Sequence, residues 1–116
     1  MRTTFHLVPL DARAVAESGF DAGAPYAAAS LATEGFIHCT DGVEALGATF
    51  YRFYAADQRT FNALTVDLDA LDVAWRFDDP GKPYPHIYGA IRREAVVGVS
   101  RVERTADGRF KSLAPA

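Results

Sequence analysis

Hydrophobic and polar positions alternate along much of this chain, and changes of period mark its elements. Thr3 to Val8 reads as a short strand that Pro9 ends. Leu10 ahead of Asp11, with Val15 beyond that cap, predicts a hydrophobic staple and a helix over about Ala12 to Ser18. Gly19, Gly23 and Pro25 then break the pattern, and Tyr26 to Thr33 fits either a small-residue helix or an ordered loop. Phe36 to Cys39 is a brief buried strand, after which Thr40 and Asp41 are placed to accept hydrogen bonds from the first turn of a helix. Val43, Leu46, Gly47, Phe50, Tyr51 and Tyr54 recur at helical spacing, and these large aromatics are expected to cover a sheet.

The second half reads as strands. Leu64, Val66 and Leu68 alternate with Thr65 and Asp67, and Val73, Trp75 and Phe77 alternate with Ala74 and Arg76. Asp78 to Pro83 is a loop by composition. It leads into a short apolar run, Pro85 to Tyr88, and then to a single turn over Arg92 to Ala95. Val96 to Arg104 is rich in valine, and Asp107-Gly108 predicts a hairpin that returns through Phe110. The expected architecture is one α+β domain over residues 1–116, with a curved or split, largely antiparallel sheet and two or three helices.

Composition narrows the function classes. A chain of 116 residues with 12 basic against 15 acidic residues, net charge -3, and no lysine or arginine run lacks the footprint of a general nucleic-acid binder. Cys39 is the only cysteine, so no intrachain disulfide forms. No stretch approaches the ~20 apolar residues of a membrane span, and no charged-then-apolar leader is read at the N-terminus. The cytoplasm is the expected location, with no membrane partner and the oligomeric state left open.

Two histidine-centred signatures carry the chemistry. Gly35-Phe36-Ile37-His38-Cys39-Thr40-Asp41 and Tyr84-Pro85-His86-Ile87-Tyr88-Gly89 each set an imidazole in a short strand followed by hydrogen-bonding side chains. An imidazole at a strand end can donate to a ribose hydroxyl or a carboxylate, or titrate as a general acid or base; the competing reading is a packed histidine bonded to backbone. Tyr88 shares the strand face of His86 and brings a hydroxyl beside it. His6 and Cys39 make a metal conceivable, yet no spacing matches a ligand cluster, and no metal is expected. Cys39 and His38 point to opposite faces of an extended strand, which favours a buried structural thiol over a nucleophile. Trp75, Phe50, Phe53 and Tyr54 are expected in the core, Arg92-Arg93 in a solvated turn, and Glu34 is the carboxylate nearest in sequence to the first signature.

Together with Thr4-Phe5-His6-Leu7 and Leu64-Thr65-Val66-Asp67, these blocks make the chain resemble the bacterial domain-of-unknown-function family 952 over nearly its whole length. That family in turn resembles the ADP-ribosyl superfamily of RNA 2′-phosphotransferases and ADP-ribosyltransferases. The likeness implies a split, curved sheet with a crevice for NAD. In it His6 or His38 would hold the ribose, Thr40 and Tyr88 would supply hydrogen bonds, and His86 would line the wall. Tyr26 or Tyr54 would stack on nicotinamide. The chain departs from the superfamily in three places. His6-Leu7-Val8 stands where a histidine-glycine-threonine run is usual, only Glu94 and Glu103 are available as a C-terminal acid, and the phosphate-binding arginines have no clear equivalents among Arg52, Arg92 and Arg93.

The expected ligand-binding set is therefore His6, His38, Thr40, His86 and Tyr88, with the catalytic group unassigned. Three readings follow: an NAD-dependent transferase of ADP-ribosyl type, a non-catalytic module for a nucleotide or small anionic metabolite, or a structural or protein-interaction domain whose histidines pack.

Overall fold

In the computed structural model, which describes residues 1–10 and 25–115, the alternating segments become two antiparallel sheets. Strand β1 is Thr3–Leu10, α1 is Ala29–Glu34, β2 is Ile37–His38, α2 is Val43–Tyr54 and β3 is Thr60–Asp67. After a 3-10 turn at Leu68–Ala70 come β4, Trp75–Arg76, and β5, His86–Ile87. A second 3-10 turn, Arg93–Ala95, leads into β6, Val96–Arg104, and β7, Phe110–Pro115. The larger sheet has the order β1-β3-β6-β7 and the smaller one β2-β5-β4. No helix among the described residues is long and apolar enough to cross a membrane.

Strand β3 explains why both layers are needed. Its side chains alternate between faces, and both faces are apolar. Phe61 and Ala63 pack with Leu7, Leu46, Phe50 and Val102, so α2 covers that side. Leu64 and Val66 pack on the other side with Ile37 and Ile87 of the small sheet and with Cys39, Leu68, Ile91 and Ala95. The central strand is thus sandwiched between a helix and a second sheet.

The sheets meet at one edge. Phe5 and Thr40 form an isolated bridge, each N–H donating to the other's carbonyl oxygen at 2.9 and 2.8 Å. The small sheet is therefore a continuation of β1's edge that peels away after one pairing, which splits the sheet and opens a crevice beside it.

Several expectations are corrected. Pro9 does not end β1, because β1 lies at the edge of its sheet, where a missing N–H is tolerated, and pairing runs on to Leu10 opposite Thr60. Thr40 and Asp41 do not cap α2: Gly42 takes the N-cap position without a side-chain bond. Thr40 Oγ1 lies instead 3.4 Å from Thr49 Oγ1, and Asp41 accepts a hydrogen bond from the Arg2 guanidinium at 3.1 Å. Phe50 alone of the α2 aromatics is fully buried; Tyr51 and Phe53 are 52% and 64% exposed, on the flank that faces away from the sheet. Strand β4 is limited to Trp75 and Arg76, with Trp75 packed against the core between the sheets. The helix expected over Ala12 to Ser18 lies outside the described residues.

Candidate functional site

The first signature works through its glycine. Gly35 adopts φ +86° and its N–H donates to the Leu31 carbonyl, ending α1 and turning the chain sharply into β2. That reversal brings Glu34, the last residue of α1, back over His38. His38 Nε2–H donates to Glu34 Oε2 at 2.9 Å, leaving Nδ1 free of that bond.

Register brings the second signature alongside. Strands β2 and β5 pair with Ile37 opposite Ile87 and His38 opposite His86, and β4 adds Arg76 opposite His86. Alternation turns Ile37 and Ile87 into the core and sets His38, His86 and Arg76 in a row on the outer face. The two imidazoles meet edge to face, with ring centroids 5.4 Å apart. Phe36 fixes both: it stacks on His86 at 4.1 Å with 14° between planes and meets His38 edge-on at 4.8 Å.

Asp78 anchors the other end of the row. It accepts from His86 Nδ1 at 2.7 Å, from Arg76 Nε at 2.7 Å and from the Tyr88 hydroxyl. These bonds, that from Tyr88 foremost, hold the Asp78 carboxyl well below the usual carboxylate range, while the same contact raises the Tyr88 phenol. The Arg76 guanidinium lies 4.1 Å from the centre of the Tyr88 ring. Two carboxylate–histidine pairs, Glu34–His38 and Asp78–His86, therefore stand side by side. Their side chains differ in exposure, 54% for His38 against 16% for His86.

His38 and His86 of this row stand at one lip of a cleft of about 1100 Å³ that runs between β1, α1, β2 and the C-terminal half of α2. Its lining includes His6, Tyr26, Glu34, His38, Thr40, Arg52, Tyr54 and His86. Such a volume lies just above the usual range of small-molecule sites, about 300–1,000 Å³. Arg52 contributes a guanidinium that lies 5.0 Å from the Phe53 ring and has no ion pair among the described residues.

The predicted residues divide accordingly. His38 and His86 converge; Tyr88 joins them through Asp78 but does not line the cleft. His6 and Thr40 border the cleft as buried groups. His6 Nδ1–H donates to the His38 carbonyl at 2.6 Å, so its Nε2 accepts from the Tyr26 hydroxyl at 3.1 Å. Burial depresses the His6 pKa to about 4 and lifts the Tyr26 phenol to about 12, keeping both neutral. Both ring nitrogens of His6 are thus engaged within the fold. Cys39 is buried and its thiol pushed up by desolvation, consistent with a structural role. Glu94 is engaged by Arg92 at 2.7 Å and Glu103 lies on β6; neither borders the cleft, whose carboxylates among the described residues are Glu34 and Asp79. No group of three or more His, Cys, Asp or Glu among the described residues could hold a metal ion.

Sequence reasoning missed Phe36, Arg76 and Asp78. The period of two that places Tyr88 beside His86 also places Phe36 beside His38, a signal that was present. Asp78 gave none, since its role depends on a loop folding back over β5.

Residues 11–99 match the family described as "Protein of unknown function (DUF952)". Among solved structures, the crystal structure of protein CC0527 from Caulobacter crescentus superposes with a TM-score of 0.69 at 22% identity, covering 95% of this chain and 94% of that one. The solution NMR structure of CC0527 gives 0.68 at 22% identity, with 94% and 91% covered. At this identity the likeness establishes the fold. No curated protein matches the chain.

Proposed function

The chain belongs to the DUF952 family, and we propose that it uses the cleft to bind a small anionic ligand of nucleotide type, an NAD-like dinucleotide being the ligand the fold resemblance suggests. The carrying observation is that His38 and His86 come together at the lip of a cleft that also holds Arg52, which has no ion pair among the described residues. A guanidinium lining a concave surface is suited to a phosphate or carboxylate. Tyr26 and Tyr54 border the same space and offer aromatic surface to a base.

The ADP-ribosyl reading draws support from the split antiparallel sheet and its crevice. It draws none from the acids near the C-terminus, because Glu94 and Glu103 lie away from the cleft. Within this proposal His38 and His86 contact the ligand, Thr40 and His6 shape the wall, and Tyr88 acts through Asp78.

The test is an amide-resolved NMR titration with NAD and with AMP, followed by nicotinamide analysis of the NAD sample. Saturable shifts at Ile37 to Thr40, His86 to Gly89 and Arg52 are expected. Released nicotinamide adds ADP-ribosyl chemistry to binding, and an unshifted spectrum at millimolar ligand removes the nucleotide reading.

A further inference from the structure

Binding alone leaves one arrangement unused. A binding histidine needs no dedicated carboxylate, yet each of these two has its own, from a different element: Glu34 at the end of α1 for His38, and Asp78 after β4 for His86. A carboxylate on one ring nitrogen fixes the tautomer, steadies the imidazolium and aims the other nitrogen outward. The bonds leave His38 Nδ1 and His86 Nε2 as the working nitrogens. Phe36 restrains both rings, and stacking on one while meeting the other edge-on sets them at 75° to each other.

We propose that His38 and His86 form a general acid–base pair that hydrolyses a phosphate diester of a nucleotide held in the cleft, resting on the ligand class proposed above. The chemistry needs one neutral and one protonated imidazole. His38, the more exposed, takes a proton from water as the water oxygen attacks phosphorus. The bond from phosphorus to the leaving oxygen breaks, and His86 gives that oxygen its proton. The products are a phosphate monoester and an alcohol, and proton exchange with solvent restores both rings. No redox partner or metal enters the balance. Arg52, in the same cleft, supplies positive charge for the phosphoryl oxygens.

Rate against pH is expected to be bell-shaped, because activity requires the two imidazoles in opposite protonation states. The groups facing them are Glu34 from α1, Asp78 from the loop after β4, Arg76 from β4, and Tyr88 just after β5.

The experiment uses the full chain with adenosine 2′,3′-cyclic monophosphate as probe, read by phosphorus NMR, alongside AMP binding read from amide shifts. Hydrolysis to an adenosine monophosphate well above the buffer rate is expected, falling about 100-fold or more in His38→Ala and in His86→Gln. Glu34→Gln and Asp78→Asn are expected to lower kcat about 10-fold with KM little changed, a split that lost binding would not produce. Amide spectra of each variant establish that it is folded. AMP binding without turnover of the cyclic ester, or turnover that survives both histidine substitutions, overturns the acid–base assignment and leaves the binding reading standing. Failure of AMP to bind removes both.

Discussion

His6 grips the backbone of His38, not its side chain: its Nδ1 lies 2.6 Å from the His38 carbonyl oxygen. The bond runs from the edge of the larger sheet to the smaller one, next to the Phe5–Thr40 bridge. It holds β2 in place while leaving the His38 imidazole free to face the cleft. The Nδ1–H bond itself would survive protonation of the ring; it is burial that opposes the charged form.

Stability is expected to fall with acid in a window set by this residue. Burial moves the His6 pKa from 6.5 to about 4. Above pH 6.5 both folded and unfolded chains carry it neutral. Between 6.5 and about 4 the unfolded chain binds a proton that the folded chain refuses, so stability is lost as pH drops through that range, by about 3 kcal/mol in all. Urea midpoints at stepped pH for the natural chain and His6→Gln measure this: the variant is less stable at neutral pH, and the gap narrows in acid. Parallel pH dependences in the two proteins would remove His6 as the cause.

Gly89 closes the second signature for a steric reason. A Cβ added there would lie 2.5 Å from Val73 Cγ1 and 2.9 Å from Val73 Cβ, far inside contact distance. Gly89→Ala is expected to destabilise by about 1–3 kcal/mol through overpacking. Gly89→Ala combined with Val73→Ala should recover part of that loss in thermal unfolding; no recovery would place the strain elsewhere.

Arg52 is expected to discriminate charged from uncharged ligands. Arg52→Gln should weaken AMP binding about 10-fold or more, the scale of one charged hydrogen-bonding partner, and leave adenosine binding unaltered. Calorimetric titrations with both ligands decide it. Equal losses for AMP and adenosine would assign Arg52 to the base or sugar.

Removing the shared acceptor at Asp78 should release Tyr88. The Asp78 carboxylate favours the protonated phenol, and Arg76 above the ring acts in the opposite sense. In Asp78→Asn the phenol pKa therefore falls, and an ultraviolet alkaline titration should show one tyrosine ionising earlier than in the natural chain. An unchanged titration curve would mean that the Tyr88–Asp78 bond is not maintained in solution.

Long, strongly periodic segments were readable from the chain alone. Val96–Arg104 and the Val43–Tyr54 helix appear where their patterns place them. Local chemistry misled where tertiary contacts compete for the same group: Asp41 looked like a helix cap, but Arg2 claims its carboxylate. Phe53 reads as core from the period of its helix, yet it lies on the exposed arc of α2. The pairing of His38 with His86 depends on the register of β2 on β5, a long-range contact for which one sequence holds no local signal. What could be read was that each imidazole shares a strand with apolar neighbours, and that proved to be the feature that aims it.

The outward row and the inward row of the small sheet are also separable inheritances. Ile37, Ile87 and Trp75 occupy the odd positions and pack into the core; Phe36, His38, Arg76, Asp78, His86 and Tyr88 occupy the even ones and form the outer row. Two texts are interleaved letter by letter in the same short words. Substitutions among the even letters would alter the outer face while leaving the apolar contacts of the odd ones in place.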